Sequence, residues 1–445
     1  MAHENNRIED IAASTTQLYT LINAALSRDA SREQYSAQSQ SMRETGIAST
    51  TLMDPKLKFG IGGMPVDSFR FDEDPMTNIS VGLMQEFGRG ATLELQQKKA
   101  NQQADGIALK VTARELEVAN TMTKLWLELG YLQQANRVLL ENQNLLREME
   151  HFIKTNYSIG QSDAQDLLNA QLQVSRFDEK LHTNTQMQQR ILAQLSEWLG
   201  PQWLRQNSDV AATLELDWAL LNQSLSSNSH AEYYPLLMSH PMVKMADAQI
   251  HTNQTQVAIA EEAYSPKFGV EVMYGYRQAN GMGGEPASDL VSAYLTMDIP
   301  LFTEDRQDRS HAAAQYQVVA AKSNRDVLLA QMNAKVNTLL VDKNNLEQRL
   351  ERYQSTLLNH ARSRTKAVER GYQNNTSQFN DVINAARDEL ALELEQWRLI
   401  ADINITNSDL AYLLGGFDYA VEQPQLQPLA NHANHANQQK ILGSH

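Results

Sequence analysis

Two periods run through this chain. In "KFGVEVMYGYR", Phe268, Val270, Val272, Tyr274 and Tyr276 share one face. Gly269, Glu271, Gly275 and Arg277 share the other, with Met273 the single apolar exception. "LVSAYLTMDIP" alternates in the same way, Val291, Ala293, Leu295, Met297 and Ile299 against Ser292, Tyr294, Thr296 and Asp298. Weaker versions lie earlier: Leu57, Phe59 and Ile61, then Ile79, Val81, Leu83 and Phe87 against Ser80, Gly82 and Glu86. A period of two marks a strand, and about 9–11 residues is the length a tilted transmembrane strand needs.

The second period is helical. Between about Thr92 and Asn156 there is no proline, and Gly106 and Gly130 are weak breakers. Val118, Met122, Leu125, Leu129, Leu132, Leu139, Leu146 and Ile153 recur there at 3–4 spacing, with Asn136 and Gln143 filling two steps. Leu329, Met332, Val336, Leu339, Leu346, Leu350, Tyr353 and Leu357 do the same later, with Lys343 as the gap. Sustained heptad spacing means left-handed supercoiling against partner helices. At ~1.5 Å per residue, a helix of about 60 residues spans roughly 90 Å, which predicts a rod or the wall of a tube.

The pattern is written twice. "YSIGQSDAQDLLNAQ" (157–171) returns as "YQNNTSQFNDVINAA" (372–386), matching Tyr157 to Tyr372, Leu168 to Ile383, Asn169 to Asn384 and Ala170 to Ala385. Pro55 matches Pro266, Met84 matches Met297, and Leu195 and Leu199–Gly200 match Leu410 and Leu414–Gly415. The expected organisation is a first repeat over 1–210 (strands about 55–88, turn at 157–162) and a connecting segment over 211–235. A second repeat then covers 236–420 (strands about 266–300, turn at 372–377), followed by a polar, disordered tail over 421–445. A lone hairpin of this kind ordinarily packs on a soluble core. Two of them, at equivalent points of a duplicated and otherwise helical chain, have no second layer to cover them.

Four strands cannot stand alone in lipid, because an open sheet exposes unpaired N–H and C=O groups. Single-chain barrels begin at about eight strands, so transmembrane strands here require a barrel shared between chains. No stretch reaches the ~18 consecutive apolar residues of a spanning helix. The opening "MAHENNRIED" lacks the apolar core of a signal peptide.

Charge and chemistry narrow the function. The net charge of −15 and the lack of a basic patch argue against nucleic acid. The absence of cysteine excludes disulfides, thiolate metal sites and cysteine nucleophiles. "GIGGMP" and "GMGGEP" lack the lysine and Ser/Thr of a phosphate loop. No nucleophile–base pair, zinc-hydrolase motif or dinucleotide fingerprint is present, so neither an enzyme nor a cofactor is expected. The 16 methionines and 11 histidines are scattered, and His432 and His435 fall in the tail. No metal ligands are assigned.

The duplicated plan, the Tyr157–Gly160 turn, "DVINA" at 381–385 and the stretch "DPKLKFGIGGMPVDSFRFDEDPMTNISVGLMQEFGRG" at 54–90 resemble the TolC-like outer-membrane efflux channels over residues 8–420. The 54–90 stretch is most similar to their heavy-metal (CzcC/CusC-type) branch. The resemblance implies a mainly α protein with a transmembrane β-barrel: a long α-helical barrel plus a 12-stranded β-barrel, shared by a homotrimer with four strands per chain. It implies a Gram-negative outer-membrane, periplasm-spanning exit duct of a tripartite proton-driven system. The implied partners are a periplasmic membrane-fusion adaptor, an inner-membrane RND pump and outer-membrane lipid. A drug-efflux or type I secretion channel is the alternative of the same fold, and a soluble coiled-coil scaffold the alternative of another class.

By position in the motif, Asp381 and Asn384 are the pore-gate residues, with Asp166 and Asn169 their first-repeat equivalents. A helix-terminal carboxylate is the plainer role for Asp381. Tyr157, Gly160, Gln161, Tyr372, Asn374 and Asn375 are the adaptor-contact candidates. Phe268, Val270, Val272, Tyr274, Leu295, Ile299, Ile79, Val81 and Leu83 are expected to face lipid.

Overall fold

The computed structural model describes residues 2–160, 162–226, 232–281, 283–374 and 376–426. Gln161, Asn375, His432, His435 and the rest of the tail beyond 426 lie outside the described residues. In chain order the elements are α1 (Ala2–Leu26), α2 (Ala30–Ser49), β1 (Lys56–Gly62), β2 (Asn78–Glu86), α3 (Thr92–Ser158) and α4 (Ala164–Leu199). Short helices α5 (Pro201–Gln206), α6 (Ala219–Ser226) and α7 (Tyr234–Leu237) lead to α8 (Pro241–Glu262), β3 (Lys267–Tyr276) and β4 (Leu290–Asp298). Helix α9 (Gln307–Arg352), a π turn (Tyr353–Leu357), α10 (Leu358–Gln373) and α11 (Phe379–Leu414) complete the fold. It is mainly helical, with one small antiparallel sheet.

The duplication is visible in the elements themselves. Helices α4 and α11 both have 36 residues. They stop at Gly200 (φ 86°) and Gly415 (φ 83°), left-handed positions that glycine adopts without steric cost. The start and end of α3, at 92 and 158, recur at 307 and 373, the span from α9 through α10. The nine-residue strands β2 and β4 begin at 78 and 290. That strand offset corrects one sequence match. Met84 pairs across the sheet with Glu271, whereas Met297 pairs with Phe268, so the two methionines sit on opposite faces and are not equivalent.

The sheet has the order β1-β2-β3-β4, every neighbour antiparallel. Its register lines Leu57 up with Leu83, Val272 and Ala293, and Phe59 with Val81, Tyr274 and Val291. Ile61 meets Ile79 and Tyr276, Val270 meets Leu295, and Phe268 meets Met297. Because side chains alternate along a strand, this register gathers the large apolar residues onto one face. No described residue covers it: Ile79, Val81, Leu83, Phe268, Val270, Val272, Tyr274, Leu295 and Ile299 are all exposed.

The opposite face carries the charges. Lys58 reaches across β2 to Glu271 (2.7 Å), and Glu86 receives both Lys56 (3.4 Å) and Lys267 (3.1 Å). The path over β2 passes Gly82, where an added Cβ would come within 2.6 Å of the Met273 side chain.

By compactness the chain divides into two units, residues 1–34, 111–241 and 328–445 in one and residues 35–110 and 242–327 in the other. The second holds the sheet. Around it Ser39 Oγ donates to the Ala104 carbonyl (2.8 Å) and Lys99 to Gln256 (2.7 Å). Arg325 pairs with Asp247 (3.4 Å).

The first unit has a helical core. Val118, Met122, Leu129, Leu132, Leu139, Leu146 and Ile153 of α3 are all buried. The polar step at Gln143 is buried too, and it donates to the carboxylate of Asp178 on α4, as a buried amide must. Deeper polar anchors are Trp218, whose indole N–H donates to Asn404 (2.8 Å), and Arg32. The Arg32 guanidinium pairs with Glu115 (2.7 Å) and donates to the Glu422 carbonyl (2.8 Å).

One helical position is corrected by the structure. The 3–4 spacing puts Leu357 on the interior face after Leu350 and Tyr353. The π turn inserts one residue into that count, so Leu358 is buried at 3% exposure and Leu357 is exposed at 40%. The buried seam then continues through Thr365.

Helix α3 runs unbroken through both glycines, for different reasons. A Cβ on Gly130 would fall 2.7 Å from the carbonyl carbon and oxygen of Thr213, so that backbone passes where a side chain would be. A Cβ on Gly106 would meet only the Ala248 methyl at 3.4 Å. Gly106→Ala should therefore keep the helix-propensity gain, raising stability by up to ~1 kcal/mol. Gly130→Ala should lose about 1–3 kcal/mol to overpacking, outweighing that gain. Thermal unfolding of the detergent-solubilised variants checks the opposite signs.

Candidate functional site

The repeated turns lie in the first unit and come together there. Helix α3 ends at Ser158, and Gly160 N–H donates back to the Tyr157 carbonyl (3.1 Å). Gly160 has φ +75°, a conformation in which any Cβ is strained, although the space around it is open. The second turn is closed by one acceptor. The Gly371 carbonyl receives the N–H groups of Thr376 (2.7 Å) and Ser377 (3.2 Å) and the Thr376 hydroxyl (3.0 Å). A Cβ on Gly371 would fall 2.3 Å from Ser377 Oγ, so a larger residue there would displace the serine hydroxyl.

The matched tyrosines have different surroundings. Tyr157 is exposed. Tyr372 is half-buried, with Phe152 at 6.4 Å edge-on and Phe379 at 6.0 Å between ring centroids. Its ring thereby packs the second turn against α3, the helix that leads into the first. Burial, followed by the nearby Asp166 carboxylate, pushes the Tyr372 phenol up. Beneath it Ile153, Ala170, Phe177, Phe379, Ile383 and Leu390 form one buried cluster, so four helices (α3, α4, α10 and α11) share the core under the turns.

The carboxylates also separate. Asp381 and Asn384 are both exposed, one helical turn apart on α11. Asp381 stands at the third position of the helix. Its carboxylate accepts the Gln378 backbone N–H (3.1 Å) while the Gln378 side chain reciprocates, which is a capping box. Asp166 and Asn169, on α4, are half-buried, and burial together with Asp163 raises the carboxyl of Asp166. Asn374 closes α10 through its N–H to the Arg370 and Gly371 carbonyls and is exposed.

Phe152, Phe379 and Gly371 escaped the sequence reading. The aromatic pair could have been found as bulky residues flanking the repeated turn at helical spacing. Gly371, inside a helix and one residue before the matched tyrosine, was the signal of a close approach.

Among the described residues, no helix is long and apolar enough to cross a membrane, and no group of three or more His, Asp or Glu could hold a metal ion.

Residues 233–416 match the family model described as outer membrane efflux protein. No curated protein sequence matches the chain. Among solved structures, the outer membrane protein VceC from Vibrio cholerae is 16% identical, with a TM-score of 0.71 over 90% of this chain and 96% of that one. A membrane protein from Pseudomonas aeruginosa gives 14%, 0.74, 90% and 90%, and CusC, whose structures describe transmembrane channel formation, gives 14%, 0.71, 90% and 92%. The family match covers residues 233–416, and over nine-tenths of its length the chain has the fold of these outer membrane channels, the TolC-like fold.

The two tyrosines give a direct check on the geometry of the turns. Tyr372→Ala removes a ring packed on two others and should cost about 2–4 kcal/mol. Tyr157→Ala, at the matched but exposed position, should stay within about 0.5 kcal/mol. Denaturant unfolding of the two variants measures the difference.

Proposed function

We propose that the chain is the outer-membrane exit duct of a tripartite, proton-driven efflux system, a passive channel assembled from three copies and gated at its periplasmic turns. The observation that carries this reading is the sheet: a register-aligned apolar face with no cover, on a sheet whose two outer strands have free edges. In water such a face is a liability, and in lipid the edges are. Both are resolved if three copies close twelve strands, with the apolar face toward lipid and the charged face toward the lumen.

The remaining roles follow from that assembly. Asp381 and Asn384, exposed on α11, line the periplasmic aperture, where three symmetry-related carboxylates would attract cations and hinder anions. Asp166 and Asn169 take second place in the gate, being half-buried on α4. The exposed turn residues Tyr157, Gly160 and Asn374, with Gln161 and Asn375 beside them, meet the periplasmic adaptor. Tyr372 holds the two turns together from behind. The adaptor links the duct to an inner-membrane pump, which supplies the energy.

For cargo, we propose heavy-metal cations, on the resemblance of residues 54–90 to the metal-exporting branch and on the exposed Asp381. A drug-exporting duct is the second reading, favoured by one observation. The strand charges on the polar face, Lys56, Lys58 and Lys267 against Glu86, Glu271 and Asp298, balance one another and impose no cation preference there.

Two experiments test the proposal. Val270→Arg with Val272→Arg puts charge on the proposed lipid face, at about 2–4 kcal/mol per midplane residue. The double variant should fail to enter the outer membrane, measured by fractionation and heat-modifiability, and normal insertion would assign the lipid to the other face. Asp381→Asn retains an oxygen to accept the Gln378 N–H, so the cap and fold survive while the charge is lost. The reversal potential in a salt gradient should shift away from cations, and an unchanged value removes Asp381 from the gate.

A further inference from the structure

Between α3, α4 and α11, within the first unit, lies a cavity of about 300 Å³. Its floor is apolar. Phe177 and Ile383, both buried, belong to the core cluster under the turns, and Leu145, which also lines the cavity, is half-exposed. Its rim carries three cations: Arg176 and Lys180, one helical turn apart on α4, and Arg387 on α11, all exposed. Among the described residues no carboxylate lines it.

In a chain with a net charge of −15, a cluster of cations without counter-ions is unexpected. Neither Arg176 nor Arg387 has an ion pair or side-chain hydrogen bond among the described residues. Lys180 lies over the Phe177 ring, its Nζ 5.3 Å from the centroid. The neighbouring cavity shows the ordinary arrangement. Leu145 lines it too, between α3, α10 and α11, but there Arg362 meets Glu393 (2.7 Å) and Glu389 (3.8 Å).

The duplication supplies an internal control. Helix α4 begins at Ala164 and α11 at Phe379, so an offset of 215 relates them. At that offset Arg176 corresponds to Ala391 and Lys180 to Glu395, and Glu395 is paired with Arg349 (2.8 Å). Arg387 corresponds in the first repeat to Leu172. The three cations therefore belong to this one cavity and not to the plan that the repeats share.

Like charges gathered at one rim repel, and a bound anion removes that cost. Guanidinium groups hold carboxylates and sulfonates by charge-assisted hydrogen bonds, while an apolar floor favours a body that leaves water. A cavity of this size stands at the small end of the range of ligand pockets. We propose that it binds a compact amphipathic organic anion. The apolar body lies against Phe177, Ile383 and Leu145, and the carboxylate or sulfonate meets Arg176, Lys180 and Arg387. All of the lining comes from one chain, so the site goes beyond the exit-duct reading and does not rest on it.

The full chain, purified in a non-ionic detergent, is titrated with 2-naphthoate by calorimetry against a blank of the same micelles. Saturable binding at one site per chain, with a Kd at or below about 1 mM, is expected. Arg176→Gln and Arg387→Gln should each weaken it about tenfold, the loss of one charge-assisted hydrogen bond. Arg190→Gln removes an exposed charge of α4 outside the cavity and should leave Kd unchanged. With the unaltered chain, 2-naphthalenemethanol, which has the same rings and no charge, should bind at least about tenfold more weakly. Inorganic phosphate at equal concentration should not displace naphthoate. No saturable heat above the blank overturns the site. So does a loss in Arg190→Gln equal to that in Arg387→Gln, which is diffuse attraction. Equal affinity for the alcohol, or displacement by phosphate, overturns the amphipathic anion as its ligand.

Discussion

Leu57, Leu83, Val272 and Ala293 stand side by side across four strands, and Phe59, Val81, Tyr274 and Val291 form the next row. Cross-strand rows of this kind are normally where a sheet gains its stability, because the opposite side of the row packs on a core. Here no layer among the described residues covers it. At roughly 25 cal/mol per Å² of apolar surface, leaving such a face in water forgoes the main term that pays for ordering the strands. The fold therefore makes sense only when something apolar lies against the sheet and something hydrogen-bonding lies along its edges. Under the function proposed above, lipid would supply the first and further copies of the same chain the second.

The charged face follows from the same register. With large apolar residues fixed on one side, every lysine and carboxylate within the strands falls on the other, close enough to pair. Lys58 reaches across β2 to Glu271, and Met273 lies over Gly82 beside that path. A face built this way is polar and charge-balanced, which suits a water-filled passage and leaves selectivity to another part of the molecule. The carboxylate of Asp381 is exposed on α11 and shares a capping box with Gln378; under the function proposed above, it takes that task.

How much of this was legible in the chain depends on the distance over which the governing interaction acts. The strands were legible because alternation is a local pattern that burial on either side cannot disguise. The duplication was legible because whole elements recur, down to the glycines that close α4 and α11. The π turn was not, since one inserted residue leaves composition unchanged and shows itself only as the exchange of Leu357 for Leu358 in the core. The fate of Tyr372 was not either, because its partners Phe152 and Phe379 come from different helices, and only packing brings them to one side of the ring.

Duplication with divergence explains why the two halves can share a plan and do different work. The first copy runs α3 without a break and leaves Tyr157 in solvent, with Asp166 and Asn169 half-buried. The second copy turns its seam by one residue at the π turn and buries Tyr372, while Asp381 and Asn384 stay exposed. A π turn is costly to keep for packing alone, and one is often found where a helix must present a different face beyond it. In this chain the turn lies sixteen residues from the end of α10, so the rotation it introduces is carried through α10 to Tyr372. The two halves thus place matching residues in unlike surroundings. In the three-copy assembly proposed above, a ring of such chains would alternate two kinds of hairpin, one with its tyrosine exposed and one with Asp381 and Asn384 exposed.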